Sequence, residues 1–172
     1  MCGFFGLHSF LVDRSEKLII AKKAVQLQNS RGPDSNGIVL DDRDNLVLSH
    51  NRLSILDLSE TGSQPMSSIS GNLSITYNGE IYNHLVIRED LKKQNSFNGW
   101  KGTSDTETLI QAIDTWGITK TLQQINGMFS FACWDRKSKK LYLARDRFGE
   151  KPLYYGWLPE KHSFVFGSDL IF

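Results

Sequence analysis

Met1-Cys2-Gly3-Phe4-Phe5-Gly6 opens the chain. Chain termini are usually frayed and polar, yet here a cysteine stands second and leads straight into adjacent phenylalanines. The run reads as the start of a buried strand, Cys2 to Leu7, which would hold the second residue at a fixed place in the fold. A thiol so held can serve as a nucleophile only as thiolate, and an ordinary cysteine is a few per cent ionised near pH 7. It needs a base. The four histidines, His8, His50, His84 and His162, sit in no Cys/His signature. Removal of Met1 would supply another base, because the α-amine of Cys2 would then titrate at about 7.7 to 8.0 beside its own thiol.

Working outward, the 172 residues suit one domain with its own core. Twenty Lys and Arg against nineteen Asp and Glu leave a net charge of +1. No global field therefore draws the chain to nucleic acid or to an anionic membrane. No apolar run reaches the roughly 20 residues that span a bilayer, and no basic segment leads into an apolar one, so the expected compartment is the cytoplasm. Of the two cysteines, Cys133 lies in the apolar run Met128 to Trp134 and reads as a buried thiol. A Cys2–Cys133 disulfide is the structural alternative.

Short β-type runs at Gly37 to Leu40 and Leu46 to His50 flank the turn-forming Asp41-Asp42-Arg43-Asp44-Asn45, which predicts a hairpin. Ser15 to Gln28 places Leu18, Ala21, Val25 and Gln28 on one helical face. A strand at Leu73 to Tyr77 is followed by helices at Asn83 to Gln94, Ser104 to Trp116 and Thr119 to Gln124. In the second of these, Ser104 and Glu107 match a capping box and Leu109, Ile110 and Ile113 make the apolar face. The last third reads as strands: Met128 to Trp134, Leu141 to Arg145, Leu153 to Trp157 and Phe164 to Phe166, with turns such as Pro159-Glu160-Lys161. Loops this short require antiparallel pairing, so the class is α+β.

Four further stretches are unusual for loops: Arg31-Gly32-Pro33-Asp34, Asn51-Arg52-Leu53-Ser54-Ile55, Asn78-Gly79-Glu80-Ile81-Tyr82-Asn83 and Thr103-Ser104-Asp105-Thr106-Glu107. With Cys2, in this order, they resemble the glutaminase domain of class II glutamine amidotransferases. Together with Ala144-Arg145-Asp146-Arg147-Phe148-Gly149-Glu150-Lys151-Pro152-Leu153-Tyr154-Tyr155, they look most like the asparagine synthetase branch. The resemblance runs from Cys2 to about Ser168 and implies the N-terminal nucleophile hydrolase fold: two stacked antiparallel sheets between helical layers, αββα, with Cys2 starting a central strand.

It also implies roles. Cys2 is the nucleophile, and the Asn78 amide with the Gly79 N–H forms the oxyanion hole. Taken alone, Asn78-Gly79 is a hairpin-turn signal, compatible with exposed N–H groups. Arg52, whose guanidinium fork fits a carboxylate, would grip the α-carboxylate of glutamine; a surface salt bridge is the plain alternative. Asp105 with Glu80 would take the α-ammonium, while backbone groups of Leu53, Ser54, Ile55 and Leu56 would line the same wall. The Arg31 to Asp34 loop would help close the site. Many relatives carry His before this Arg, where this chain has Ser30.

The implied reaction is glutamine plus water to glutamate and ammonia, with no metal or organic cofactor in this domain. ATP and Mg belong to a following synthetase domain, whose Ser-Gly-Gly-x-Asp-Ser phosphate loop does not occur in these residues. Residues 1–172 thus read as the N-terminal glutaminase part of a longer chain. Glutamine and that synthetase domain are the expected partners, with room for a homodimer. The competing reading is a non-catalytic, glutamine-binding regulatory module.

Overall fold

The computed structural model describes residues 1–170 apart from 42, 44, 55, 56, 58, 95–98, 160 and 161. In chain order the elements are β1 (Gly3–Ser9), α1 (Arg14–Leu27), β2 (Ser35–Asp41), β3 (Leu46–Arg52), β4 (Met66–Ser67), β5 (Leu73–Ile81), α2 (His84–Lys93), α3 (Asp105–Trp116), α4 (Ile118–Gln124), β6 (Gly127–Asp135), β7 (Lys140–Arg145), β8 (Tyr154–Leu158) and β9 (Ser163–Gly167). They form two antiparallel sheets, ordered β2-β3-β1-β9-β8 and β4-β5-β6-β7. Strand β1 is therefore central, paired with β3 and β9.

Side-chain alternation along β1 sorts the layers. Phe4 points between the sheets, where it meets Leu46, Leu48, Ala132, Trp134 and Phe166. Phe5 and Leu7 point the other way, against Ala21 and Ala24 of α1. On the far side, Ile75 and Phe131 of the second sheet pack against Leu109 and Ile110 of α3. The order is helix, sheet, sheet, helix, as the resemblance implies. Gly6 makes the close approach of β9 workable: a Cβ there would lie 2.1 Å from the Phe166 ring. With Phe4 and Phe5 at 0% and 1% exposure, burial anchors the chain start by roughly 1.5–3 kcal/mol per ring.

Several expectations need correction. Helix α1 buries Lys17, Ala21 and Ala24, continued by Gln28 at its C-cap, with Leu18 and Val25 only on the flanks of that stripe. Small alanines let the helix lie close to the sheet, and the Lys17 stem runs along it until Nζ reaches Asn45 Oδ1 at 3.5 Å. Its cap is Asp13, whose Oδ1 accepts from Glu16 N–H at 2.8 Å. Ser104 caps α3 by accepting from Glu107 N–H at 3.3 Å, but Glu107 does not complete a capping box. Its carboxylate accepts instead from the N–H groups of Lys101 and Gly102 at 2.8 and 3.0 Å and pairs with Arg88. Strand β5 also runs four residues beyond Tyr77, through Asn78-Gly79, which form no turn. The two-residue β4 was not foreseen.

Both cysteines are free. Cys133 is fully buried on the helix-facing side of β6, where desolvation pushes its thiol up to about 12. Turn residues Asp42, Asp44, Glu160 and Lys161 lie outside the described residues. Among those described, no helix is long and apolar enough to cross a membrane.

Candidate active site

Strand ends from both sheets meet at one cavity of about 110 Å³, lined by Cys2, Arg52, Leu53, residues 77–80 of β5, and Asp105 at the start of α3, among others. Cys2 stands one residue before β1, beside the last residues of β3, because Gly3 pairs with Asn51. Its Sγ accepts from Leu53 N–H at 3.3 Å and lies 3.6 Å from Leu53 O. Arg31 Nε donates to the Cys2 carbonyl at 3.2 Å. Burial raises the Cys2 thiol above its ordinary value, and Asp105 adds to this. The Leu53 N–H, the positive chain terminus and Arg52 act in the opposite sense.

Asn78 and Gly79 earn their place through register. Asn78 lies on the face of β5 turned toward the first sheet, and its Nδ2 is buried with no hydrogen-bond partner among the described residues. Gly79 pairs with Phe129. Phe129 exchanges both main-chain groups with Asp146, accepting from its N–H at 2.8 Å and donating to its Oδ2 at 3.2 Å. Its main chain thus faces away from β5, so Gly79 pairs without hydrogen bonds and turns its N–H to the opposite, cavity edge. A Cβ at Gly79 would lie 2.3 Å from Met128 O. Glycine is needed there for close strand approach, which is why a turn-like dipeptide sits inside a strand.

Arg52 ends β3 and is 8% exposed. Its Nη1 donates to Ser59 O at 2.8 Å and its Nη2 donates to Asp57 O, which aims the guanidinium while leaving other N–H groups of the fork for a ligand. Asp105 Oδ2 accepts from Tyr77 Oη at 2.6 Å and from Ile81 N–H at 2.9 Å. Glu80 lines the same cavity, half-buried. Ser54 is turned elsewhere, its N–H donating to Asp34 Oδ2 at 2.7 Å. Asp34 N–H in turn donates to Arg52 O, so the Arg31 to Asp34 loop braces the end of β3 rather than lining the cavity. Ile55 and Leu56 lie outside the described residues.

Sequence reasoning missed Tyr77, Gln64, Asp57 and Lys151, all of which line the cavity. Tyr77 was within reach, since it shares an edge with Gly79 at period two. Asp57-Leu58-Ser59 carries a local Asx signal, Ser59 N–H and Oγ both donating to Asp57 Oδ1. Lys151 had none. It is placed by Asp146, whose carboxylate accepts from the N–H groups of Phe148, Glu150 and Lys151, and its Nζ lies 3.4 Å from the sulfur of Met1, which also borders the cavity.

A near-terminal thiol, a buried amide donor with no partner among the described residues and a strand-edge N–H turned to the cavity are the parts an amidase needs. Residues 1–171 match the family described as glutamine amidotransferase domain. The chain belongs to that family.

This amidotransferase domain is 37% identical over 172 residues to asparagine synthetase (glutamine-hydrolyzing) 2 of Bacillus subtilis (strain 168), covering 99% of the chain and 22% of that protein. It is 38% identical over 158 residues to asparagine synthetase (glutamine-hydrolyzing) 1 of the same organism, with 90% and 24% covered. Against a probable asparagine synthetase (glutamine-hydrolyzing) of Schizosaccharomyces pombe the figures are 37% over 161 residues, 91% and 27%. The amidotransferase domain thus spans 22–27% of the length of these curated relatives.

Proposed function

We propose that this domain hydrolyses the side-chain amide of glutamine with Cys2 as nucleophile and delivers the ammonia to an ATP-dependent synthetase domain in the same longer chain. The observation that carries the reading is the buried, unpartnered Asn78 Nδ2 in one cavity with the Cys2 thiol and the Gly79 edge of β5. A buried amide donor left without a partner costs about 1–3 kcal/mol, and a developing oxyanion would repay it.

Once Met1 is removed, the Cys2 α-amine takes the thiol proton and the thiolate attacks the amide carbon. Asn78 Nδ2 and Gly79 N–H hold the oxygen as negative charge develops, while Arg52 grips the α-carboxylate and Asp105 with Glu80 takes the α-ammonium. Collapse breaks the C–N bond, and the α-ammonium of Cys2 returns its proton to the leaving ammonia. Water, deprotonated by the same amine, then attacks the thioester, giving glutamate and restoring Cys2. Every proton in this cycle moves through one amine, so the half-reaction calls for no metal or organic cofactor. ATP and Mg would act in the synthetase domain.

Methionine-free protein should release ammonia from glutamine, with kcat/KM rising through a single group in the α-amine range. It should also be alkylated at Cys2 by a glutamine-like electrophile, located by mass spectrometry. An intact Cys2 and no ammonia would leave only a glutamine-binding module.

A further inference from the structure

Alternate residues of β5 turn their N–H groups to one edge. Tyr77 N–H donates to Gln64 Oε1 at 2.7 Å and Ile81 N–H donates to Asp105 Oδ2 at 2.9 Å, with the Gly79 N–H between them on the same edge. The Tyr77 hydroxyl donates to that same Asp105 oxygen at 2.6 Å. Both bonds fall on Oδ2, so the carboxylate is fixed in position and rotation while Oδ1 remains for a ligand. Gln64 adds a third tie, its Nε2 donating to Thr106 Oγ1 at 3.2 Å. Tyr77 and Asp105 are 2% and 5% exposed, so water scarcely competes for these bonds. Burial, and next the Asp105 charge, keep the Tyr77 hydroxyl protonated and therefore a donor.

We propose that Tyr77 is a positioning residue for substrate length: with Ile81 N–H it locks Asp105 at a set distance along β5 from the Gly79 N–H, so that the site measures the span between an α-ammonium and a reacting amide. Two residues of strand cover roughly 7 Å. A substrate one methylene shorter than glutamine, asparagine, cannot seat its ammonium on Asp105 and its amide oxygen on Gly79 together. Tyr77 touches neither reacting atom. It acts through Asp105, and the inference rests on the glutaminase reading above.

The test compares ammonia release from glutamine and from asparagine by methionine-free wild type and by Tyr77→Phe, which keeps the buried ring and removes the hydroxyl. A missing methylene is worth roughly 10–200-fold in such discrimination, and wild type should prefer glutamine by that much. In Tyr77→Phe, kcat/KM for glutamine should fall about tenfold, chiefly through KM, and the preference over asparagine should shrink about tenfold as Asp105 gains freedom to swing. The same ratio can be read without turnover, from calorimetric binding of glutamate and aspartate to Cys2→Ala with and without Tyr77→Phe. Equal losses for both amides, or an unchanged glutamate-to-aspartate ratio, would overturn the length measure and leave the glutaminase reading standing. No ammonia from glutamine with wild type would overturn both.

Discussion

The two residues flanking the cavity from neighbouring strands of the first sheet are held in opposite ways. Cys2 is fixed from behind by apolar burial, because Phe4 and Phe5 sink into the layers on either side of β1. Arg52 is fixed from in front by polar groups: its guanidinium donates to Ser59 O and Asp57 O, and the Asp57 carboxylate ties that segment to Thr103. If Cys2 is the nucleophile proposed above, it tolerates no misplacement and gains from an anchor that pH does not touch. If Arg52 is the proposed substrate grip, it must be specific in direction, which hydrogen bonds provide.

The largest expected effect tests the apolar side of this contrast, since its purpose is to present Cys2. Retained Met1 turns the Cys2 amine into a non-basic amide and borders the cavity beside the thiol, so protein carrying Met1 should lose 10²- to 10⁴-fold in glutamine hydrolysis relative to methionine-free protein. Cys2→Ala should abolish turnover with an unchanged melting temperature. Comparable rates for the Met1-carrying and methionine-free forms would remove the α-amine as base.

Next in size is the anchor itself. Phe4→Ala empties a fully buried site between the sheets and should cost about 3–5 kcal/mol of stability in denaturant unfolding. The loss should be the same at pH 7 and pH 4, because no titrating group is involved. A cost under about 1 kcal/mol would mean that hydrogen bonds of β1, and not its rings, seat the nucleophile.

The polar side gives smaller effects. Arg52→Ala should raise KM for glutamine strongly, and Arg52→Lys should fail to restore it, because one ammonium cannot reach Ser59 O and Asp57 O and still offer a fork to a carboxylate. Near-normal KM in Arg52→Lys would place the carboxylate grip elsewhere.

The same contrast explains what could be read in advance. Apolar periodicity is local, so the hairpin of β2 and β3, the buried face of α3 and the buried start of the chain were all legible. Polar connections are long-range and were not: Glu107 was expected to cap its own helix and instead satisfies Lys101 and Gly102. Asn78-Gly79 lines the cavity although its local turn reading was incorrect, because pairing with β6 overrides turn propensity and only the register shows which way Gly79 N–H points. In α1 the apolar residues misled, since the helix approaches the sheet through its alanines. The tie of Tyr77 to Asp105, 28 residues away, and the contact of Lys151 with Met1, 150 residues away, appear in no local pattern, although the position of Tyr77 two residues before Gly79 does.

The smallest effect separates the two kinds of anchoring most cleanly. Asp57 accepts from Ser59 N–H and Oγ on Oδ1 and from Thr61 Oγ1 and Thr103 N–H on Oδ2. These bonds, that from the Ser59 hydroxyl first, lower its carboxyl below the ordinary range. In Asp57→Asn an NH₂ group would have to face one set of donors, and KM for glutamine should rise about fivefold with a stability loss of about 1–2 kcal/mol. The sign of the pH dependence follows from the depressed value in the folded state. Asp57 contributes fully above its unfolded-state value near 3.9, and the contribution fades as pH falls below that toward the folded-state value. The stability difference between wild type and Asp57→Asn should therefore be constant from pH 7 to about 5 and close below about pH 4, while the Phe4→Ala deficit should not close. Urea unfolding of the three proteins across that range decides it. A difference for Asp57→Asn that persists unchanged at pH 3 would mean the carboxylate charge plays no part in holding Arg52.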